Sequence, residues 1–279
     1  AYIVIAQMLY ERFGNLQPIV KHYDSMKKWL DHVRDNYMVD YIVTRDYYGD
    51  WCMPPELPEL IHSQDPARKT NGALLSTSTY YYLIGIMARF AGLTGSTDDI
   101  AYFEGQAIAI REAYNRKFFN PATGSYSNNT VTANLLSLVY GLVPKGYEEM
   151  VFRHIVDKTM ADFDGHVSTG LVGIRHLMQG LTRHGRADIA LRLATNRDYP
   201  SWGYMVEKGA TTIWELWNGD TADPAMNSGN HVMLLGDLIA WCYEDLAGIR
   251  NADGAVAFRR IVLKPSPVEG LDFVDASYR

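Results

Sequence analysis

Apolar residues recur at three- and four-residue spacing in nine stretches of this sequence, and short breaks separate most of them. This spacing predicts helices, because it places the apolar side chains on one face of each. Strand-like alternation is scarce before residue 255. The predicted helices cover residues 2–13, 18–34, 74–92, 98–117, 131–141, 146–160, 170–183, 185–195 and 229–247.

Glycine residues follow several of these apolar stretches. A glycine just past the last apolar residue is typical of a helix end, because it adopts the left-handed conformation without strain. The glycines that predict helix ends are Gly14, Gly92, Gly141, Gly180 and Gly248.

The repeated order of helix, short loop and helix predicts an all-α protein. A four-helix bundle has too few helices for this chain, and a solenoid would show a repeat of fixed length. The natural closed alternative is an (α/α)6 toroid, in which inner helices line a pocket at one end. The apolar, aromatic-rich segment 74–92 suits an inner helix that is buried on both sides.

Composition excludes several classes of function. The net charge of −6 over 279 residues argues against non-specific nucleic-acid binding, which requires a basic face. The cysteines, Cys52 and Cys242, are far apart and indicate neither a disulfide framework nor a zinc site. No apolar run is long enough to span a membrane, and the N-terminus resembles an amphipathic helix more than a signal peptide.

Two irregular stretches interrupt the helices, residues 44–72 and 218–230. The first is rich in proline, aspartate and aromatic residues. Loops of this length in a compact domain are usually functional or disordered, and the aromatic residues argue against disorder. We therefore expect residues 44–72 to contribute to a site.

The pattern changes after Gly248. Residues 255–265 alternate as a strand, with a bulge at Arg259 and Arg260, and 271–274 begins a second one. Two strands cannot form an independent domain. The predicted domains are a helical domain over 1–249 and the start of a β-domain over 250–279. Because the chain starts without Met inside a helical pattern, we expect it to be part of a longer protein.

The most informative segment is SWGYMVEKGATTIWELW, residues 201–217, which places Glu215 among three tryptophans. A sugar site needs apolar ring faces for stacking and a group that transfers protons. The alternative is a buried aromatic helix whose glutamate points to solvent. The tryptophans are Trp202, Trp214 and Trp217.

Other candidates lie in the irregular stretches. Asp50 and Glu56 flank Trp51 in the long loop, although Asp50 suits a turn and Glu56 a solvated position between prolines. His231, at the start of the last predicted helix, suits a contact with a sugar hydroxyl, a cap or a position in the core. No metal-binding, phosphate-binding or dinucleotide-binding motif is present, so no cofactor is predicted.

Together these features resemble bacterial α-L-rhamnosidases of glycoside hydrolase family 78 along nearly the whole chain. Five motifs in the expected order carry the resemblance: YYGDW at 47–51, NTVTANLLSLVYGLVP at 129–144, HVSTGLVG at 166–173, GATTIWELW at 209–217 and NSGNHVMLLGDLIAWCYEDLAGI at 227–249.

The resemblance implies an (α/α)6 catalytic domain followed by a C-terminal β-sandwich, in a cytoplasmic or periplasmic bacterial protein. It implies hydrolysis of terminal α-L-rhamnosides with inversion, with Glu215 as the general base, His231 in contact with the sugar and Trp51 presenting an apolar face to it. We therefore predict Glu215 as catalytic. The predicted substrate-binding residues are Trp51, Asp50, Trp202, Trp214 and His231.

One departure from the family changes the prediction. The general acid of the family lies in a motif resembling R-x-E-R-x-G-W-x-G-D, and residues 1–279 do not contain it. The resemblance then implies a toroid without its first helices and weak or no hydrolysis by this chain alone. Self-association or an N-terminal segment would cover the exposed seam.

Three alternatives stay open. Another inverting (α/α)6 glycosidase acting on glucosides or uronides would need a basic residue near the substrate, for which Arg45 and Arg68 are the candidates. A non-catalytic carbohydrate-binding or assembly module would explain the missing acid motif. A helical scaffold without a ligand would leave the aromatic loops unexplained.

Overall fold

A computed structural model describes residues 2–225 and 227–277 of the chain, and only the backbone of 232–236. Most of these residues are helical. Turns of π-helix over Lys158–Asp162 and Cys242–Leu246 follow the sixth and last helices. The helices are α1 (Tyr2–Phe13), α2 (Gln17–Tyr37), α3 (Gly72–Thr94), α4 (Thr97–Phe118), α5 (Val131–Val139), α6 (Glu148–Asp157), α7 (Leu171–Arg183), α8 (Ala187–Thr195), α9 (Trp202–Glu207) and α10 (Val232–Trp241).

Successive helices pack as hairpins, α1 with α2, α3 with α4, α5 with α6, and α7 with α8. The first helix of each hairpin also contacts the first helix of the next, so α1, α3, α5, α7 and α10 form an inner row. The helix α3 is buried along most of its length, as predicted for 74–92, whereas α2 buries a single stripe that includes Ile19, Tyr23 and Met26. The arrangement is the all-α toroid of helical hairpins that the sequence predicts.

The glycine pattern predicts some helix ends correctly and others wrongly. At Gly92 and Gly180 the prediction is wrong, because α3 and α7 continue past them. Gly180 has a packing role instead, since a Cβ atom there would lie 2.9 Å from Cδ1 of Leu135 on α5. Three predicted glycines follow helix ends and have positive φ: Gly14, Gly141 and Gly248.

The strands of the described residues form short antiparallel pairs. The strand predicted over 255–265 is too long, because Ala257 and Phe258 have φ of 54° and 53° and break it. No strand forms over 271–274, and the β-sandwich over 250–279 stays a prediction. The pairs are β1 (Met38–Val39) with β2 (Ile42–Val43), β3 (Phe119–Asn120) with β4 (Ser125–Tyr126), and β5 (Ile249–Asn251) with β6 (Ile261–Leu263).

The loops that precede α3, α5, α7 and α10 meet at one end of the inner row. Asp50, in the loop before α3, hydrogen-bonds to Thr132 in α5 and to Gly170 just before α7. Trp51 hydrogen-bonds to Glu215, in the loop before α10. This end of the toroid therefore carries both of the irregular stretches from which a site was predicted.

Candidate active site

Glu215 lies in a loop segment that forms hydrogen bonds with residues 227–231. Its main-chain N–H donates to the carbonyl of Ser228 over 2.8 Å, and the N–H of Ser228 donates to Oε2 of Glu215 over 3.2 Å. The other oxygen, Oε1, accepts the indole N–H of Trp51 over 3.4 Å. The alternative of a buried aromatic helix with a solvent-facing glutamate is wrong, because α9 ends at Glu207 and Glu215 is partly buried.

Trp51 joins this carboxylate to an aromatic pocket. Its ring lies 6.3 Å from the ring of Tyr48 and 5.2 Å from that of His62. These three side chains line a cavity of about 360 Å³, together with Arg68 on its far side. The cavity therefore offers ring faces and polar groups of the kind that carbohydrate sites use.

His231 occupies the position before α10, next to the loop segment of Glu215. Its main-chain N–H donates to the carbonyl of Ile213 over 2.7 Å. Its Nδ1 atom is buried and has no hydrogen-bond partner among the described residues. The contact of His231 with a sugar hydroxyl stays a prediction.

Asp50, a predicted substrate-binding residue, forms hydrogen bonds within the protein. Its buried carboxylate accepts hydrogen bonds from the hydroxyl of Thr132 and from the main-chain N–H groups of Gly170, Val172 and Gly173. Burial raises the pKa of the Asp50 carboxyl, and these hydrogen bonds act in the opposite direction. Donors of the protein thus occupy both oxygens, and substrate binding by Asp50 stays a prediction.

The carboxylate of Glu56 also accepts hydrogen bonds from the protein, here from residues of its own loop. It accepts hydrogen bonds from the hydroxyl of Ser63 and from the N–H groups of Gln64 and Asp65. Burial raises the pKa of Glu56, but these hydrogen bonds outweigh burial and hold the pKa at about 2. The carboxyl is therefore ionised near neutral pH, and it cannot donate a proton to a leaving group.

The tryptophans around Glu215 divide between core and site. Trp202 is 5% exposed and Trp217 is 1% exposed, and their rings pack edge to face 5.3 Å apart inside the core. Trp202 therefore offers no free ring face here, and its contact with substrate stays a prediction. Trp214 is partly buried with its ring against Gly219, and its contact with substrate stays a prediction.

Hydrogen bonds from distant segments hold the long loop in place. The side-chain N–H2 of Asn218 donates to the carbonyls of Pro58 and Leu60, each over 2.7 Å, and the hydroxyl of Tyr199 donates to the carbonyl of Pro55 over 3.0 Å. Asn218 follows the Glu215 segment directly in the sequence. The loop is therefore fixed against the part of the chain that carries the predicted base.

Some residues of the pocket escape sequence reasoning. His62 lies beside Trp51 although no motif contains it, and its position in the aromatic-rich loop is the one available signal. Cys52 is buried behind the site, where burial together with the charges of Glu215 and Asp50 raises the pKa of its thiol to about 12. The thiol is thus protonated and unreactive near neutral pH.

Neither a metal site nor a membrane span is apparent in the described part of the chain. No group of three or more histidine, cysteine, aspartate or glutamate side chains is arranged to hold a metal ion among residues 2–225 and 227–277. None of the described helices combines the length and apolar character needed to cross a bilayer.

Comparison with known proteins identifies the domain. The model of the bacterial alpha-L-rhamnosidase six-hairpin glycosidase domain matches residues 1–246. An alpha-L-rhamnosidase of Streptomyces avermitilis is 30% identical over 96% of this chain and 24% of its own length. One from Formosa agariphila is 29% identical over 98% of this chain and 29% of its own length. The chain thus spans less than a third of these relatives.

Solved structures also superpose closely on this chain. The alpha-L-rhamnosidase from Dictyoglumus thermophilum superposes with a TM-score of 0.86 at 33% identity, covering 96% of this chain and 29% of that one. The Streptomyces avermitilis enzyme complexed with L-rhamnose gives 0.84 at 29% identity, covering 95% and 24%. The chain belongs to the bacterial alpha-L-rhamnosidase six-hairpin glycosidase domain family.

Proposed function

We propose that this chain supplies the general base and part of the sugar site of an α-L-rhamnosidase that acts on terminal α-L-rhamnosides with inversion of configuration. The observation that carries the proposal is the carboxylate of Glu215, held by the indole N–H of Trp51 beside an aromatic cavity. The names of the relatives, and L-rhamnose in the Streptomyces avermitilis structure, support the substrate class.

Glu215 takes a proton from a water molecule as that water attacks the anomeric carbon. The new bond forms on the ring face opposite the leaving group, and the glycosidic carbon–oxygen bond breaks on the other face. The departing oxygen takes a proton from a general acid. Trp51 presents its ring to the sugar, whose 6-deoxy methyl group favours an apolar contact. His231 contacts a sugar hydroxyl, as the resemblance implies.

The general acid comes from elsewhere in the whole protein. Within the described residues of this site, Asp50 and Glu56 are already bonded by the protein. We therefore assign the acid to a segment resembling R-x-E-R-x-G-W-x-G-D, upstream of this chain. The isolated chain should then bind rhamnosides and hydrolyse them weakly or not at all.

A uronide substrate is less well supported. The guanidinium group of Arg45 stacks between the rings of Tyr37 and Tyr47, at 5.2 and 4.7 Å. That of Arg68 lies 4.6 Å from the ring centroid of Phe163 and 3.8 Å from Glu56. Both candidate partners for a substrate carboxylate are therefore engaged within the protein.

The test is release of rhamnose from an aryl α-L-rhamnoside by a protein in which the upstream segment precedes this chain. We expect Glu215→Gln to lower kcat on the order of 100- to 10,000-fold, and Glu207→Gln, at the end of α9, to leave it unchanged. The first product seen by proton NMR should be the β-anomer of rhamnose. Full activity of Glu215→Gln would overturn the base assignment.

The same assay on the isolated chain separates the remaining readings. Turnover equal to that of the longer protein would contradict the upstream acid. Rhamnose binding that Trp51→Ala abolishes, without turnover by the longer protein, would favour a carbohydrate-binding module.

A further inference from the structure

Asp50 connects three parts of the fold through one carboxylate. Oδ2 accepts the hydroxyl of Thr132 in α5 and the N–H of Gly170 over 2.8 Å. Oδ1 accepts the N–H of Val172 over 2.8 Å and that of Gly173 over 3.2 Å, in the first turn of α7. The N-terminus of a helix favours a negative charge, so this carboxylate serves as a cap supplied from a distant loop.

Gly170 allows the loop, and Gly173 allows Thr132 of α5, to approach the start of α7 this closely. A Cβ atom at Gly170 would lie 2.3 Å from the carbonyl oxygen of Asp50 and 2.4 Å from that of Trp51. A Cβ atom at Gly173 would lie 2.4 Å from Oγ1 of Thr132. The backbone of Asp50 and Trp51 therefore rests directly on the start of α7.

The position of Trp51 follows from the same contacts. Its carbonyl accepts the N–H of Leu171 over 2.7 Å, in addition to the bonds of Asp50. On the other side, Cys52 packs in a small apolar cluster with Leu216, the residue after Glu215. The indole N–H of Trp51 is thereby aimed at Oε1 of Glu215.

We propose that Asp50 is a positioning residue, which fixes the 50–52 backbone on α7 so that the indole of Trp51 hydrogen-bonds to Glu215. The proposal rests on the proposed function, because it takes Glu215 as the base and Trp51 as the residue that sets the orientation of its carboxylate. In this role Asp50 acts through Trp51.

The chemistry of an Asp50→Asn substitution explains the expected effect. An amide keeps the shape of the carboxylate but replaces one acceptor oxygen with an N–H2 donor. Whichever way the amide is turned, at least one main-chain N–H of the 170–173 segment then faces another donor. The loop must shift away from α7, and Trp51 moves with it.

The test is NMR of the tryptophan indole N–H groups in the 15N-labelled chain, which reads the contact directly. The Trp51 signal is assigned by Trp51→Phe. We expect Glu215→Gln to shift the Trp51 signal, because it replaces the carboxylate that accepts the indole N–H, and this shift is the Trp51 response. In the Asp50→Asn background the same substitution should shift the signal by less than half as much, while circular dichroism shows the helices intact.

A milder variant covers the case in which Asp50→Asn fails to fold. Thr132→Val removes one of the four hydrogen bonds to Asp50 at nearly constant volume, and we expect an intermediate loss of the Trp51 response. Asp220→Asn is the matched control and should leave the response unchanged, because its carboxylate accepts hydrogen bonds from Tyr204 and lies 3.9 Å from Nζ of Lys208, away from Trp51.

A wild-type Trp51 signal that ignores Glu215 would overturn the proposal. So would a full Trp51 response in folded Asp50→Asn, or in Thr132→Val if Asp50→Asn does not fold. Because the signal does not depend on turnover, these results are independent of the rhamnoside assay. The base assignment can thus fail while the contact stands, and the reverse also holds.

Discussion

At the scale of single residues, the burial of Asp237 on α10 makes the stability of the protein depend on pH. Burial raises the pKa of its carboxyl to about 6, and the charge of Arg175 on α7 lowers it only in part. An aspartate in an unfolded chain has a pKa of about 3.9. Between those values the folded state keeps a proton that the unfolded state has lost, so this group lowers stability as pH rises from about 4 to about 6.

Asp237→Asn removes the ionisable group and should therefore stabilise the protein only at higher pH. A shift of about two pKa units corresponds to roughly 2–3 kcal/mol, and we expect a gain of about 1–3 kcal/mol at pH 8 and little change at pH 4. Urea unfolding at the two pH values measures this gain in the free energy of unfolding. Asp272→Asn, in an exposed position, is the control. An equal gain at both pH values would contradict the assigned cause.

Residues of the site differ in how far the sequence predicts them. The contact between Glu215 and Trp51 joins two segments that the motifs had placed in one site. The surroundings of Asp50 and Trp202 could not be predicted, because distant segments make them. Asp50 is occupied by the start of α7, and Trp202 is buried against Trp217 and the core. The position of a residue beside a motif in the sequence does not predict whether distant segments bury its side chain.

At the scale of elements, the helices were predictable because apolar spacing is a local property of each segment. The strand over 255–265 was not, because its alternation also suits a turn. The main-chain N–H of Ala257 donates to the carbonyl of Glu11 over 2.9 Å, and this contact with α1 selects the turn. Interior glycines such as Gly180 were misread for a similar reason, since helix packing and not a helix end requires them.

Two helical glycines should respond oppositely to alanine. At Gly105 on α4 a Cβ atom meets nothing within 4 Å, so Gly105→Ala should stabilise by about 0.5–1 kcal/mol through lower chain entropy. At Gly173 on α7 it would lie 2.4 Å from Oγ1 of Thr132 and 2.6 Å from Cβ of Thr169. Gly173→Ala should destabilise by about 1–3 kcal/mol. Denaturant unfolding of the two variants measures both changes in the free energy of unfolding. If the two changes had the same sign, the packing of α7 on α5 would be contradicted.

At the scale of the whole molecule, α1 combines a buried face with an apolar face in solvent. Ile3 and Ala6 are each 2% exposed, whereas Tyr2, Ile5 and Met8 are 44%, 50% and 46% exposed. The three exposed residues are spaced three apart and so lie on one side of the helix. Contiguous exposed apolar surface of this kind marks an interaction site. We therefore predict that this chain self-associates through α1.

Ile5→Ser tests this prediction because it removes apolar surface without disturbing the core. Sedimentation velocity over a range of concentrations should show association of the wild type and a clear weakening in Ile5→Ser. Ile108→Ser on α4 is the matched control, since Ile108 is 52% exposed, close to the 50% of Ile5, and lies on a different hairpin. Equal weakening by both would indicate non-specific apolar contact, and a wild type that is monomeric at every concentration would refute association through α1.

Joining the upstream segment should abolish association in the same way if that segment covers α1, because the two occupants would compete for one surface.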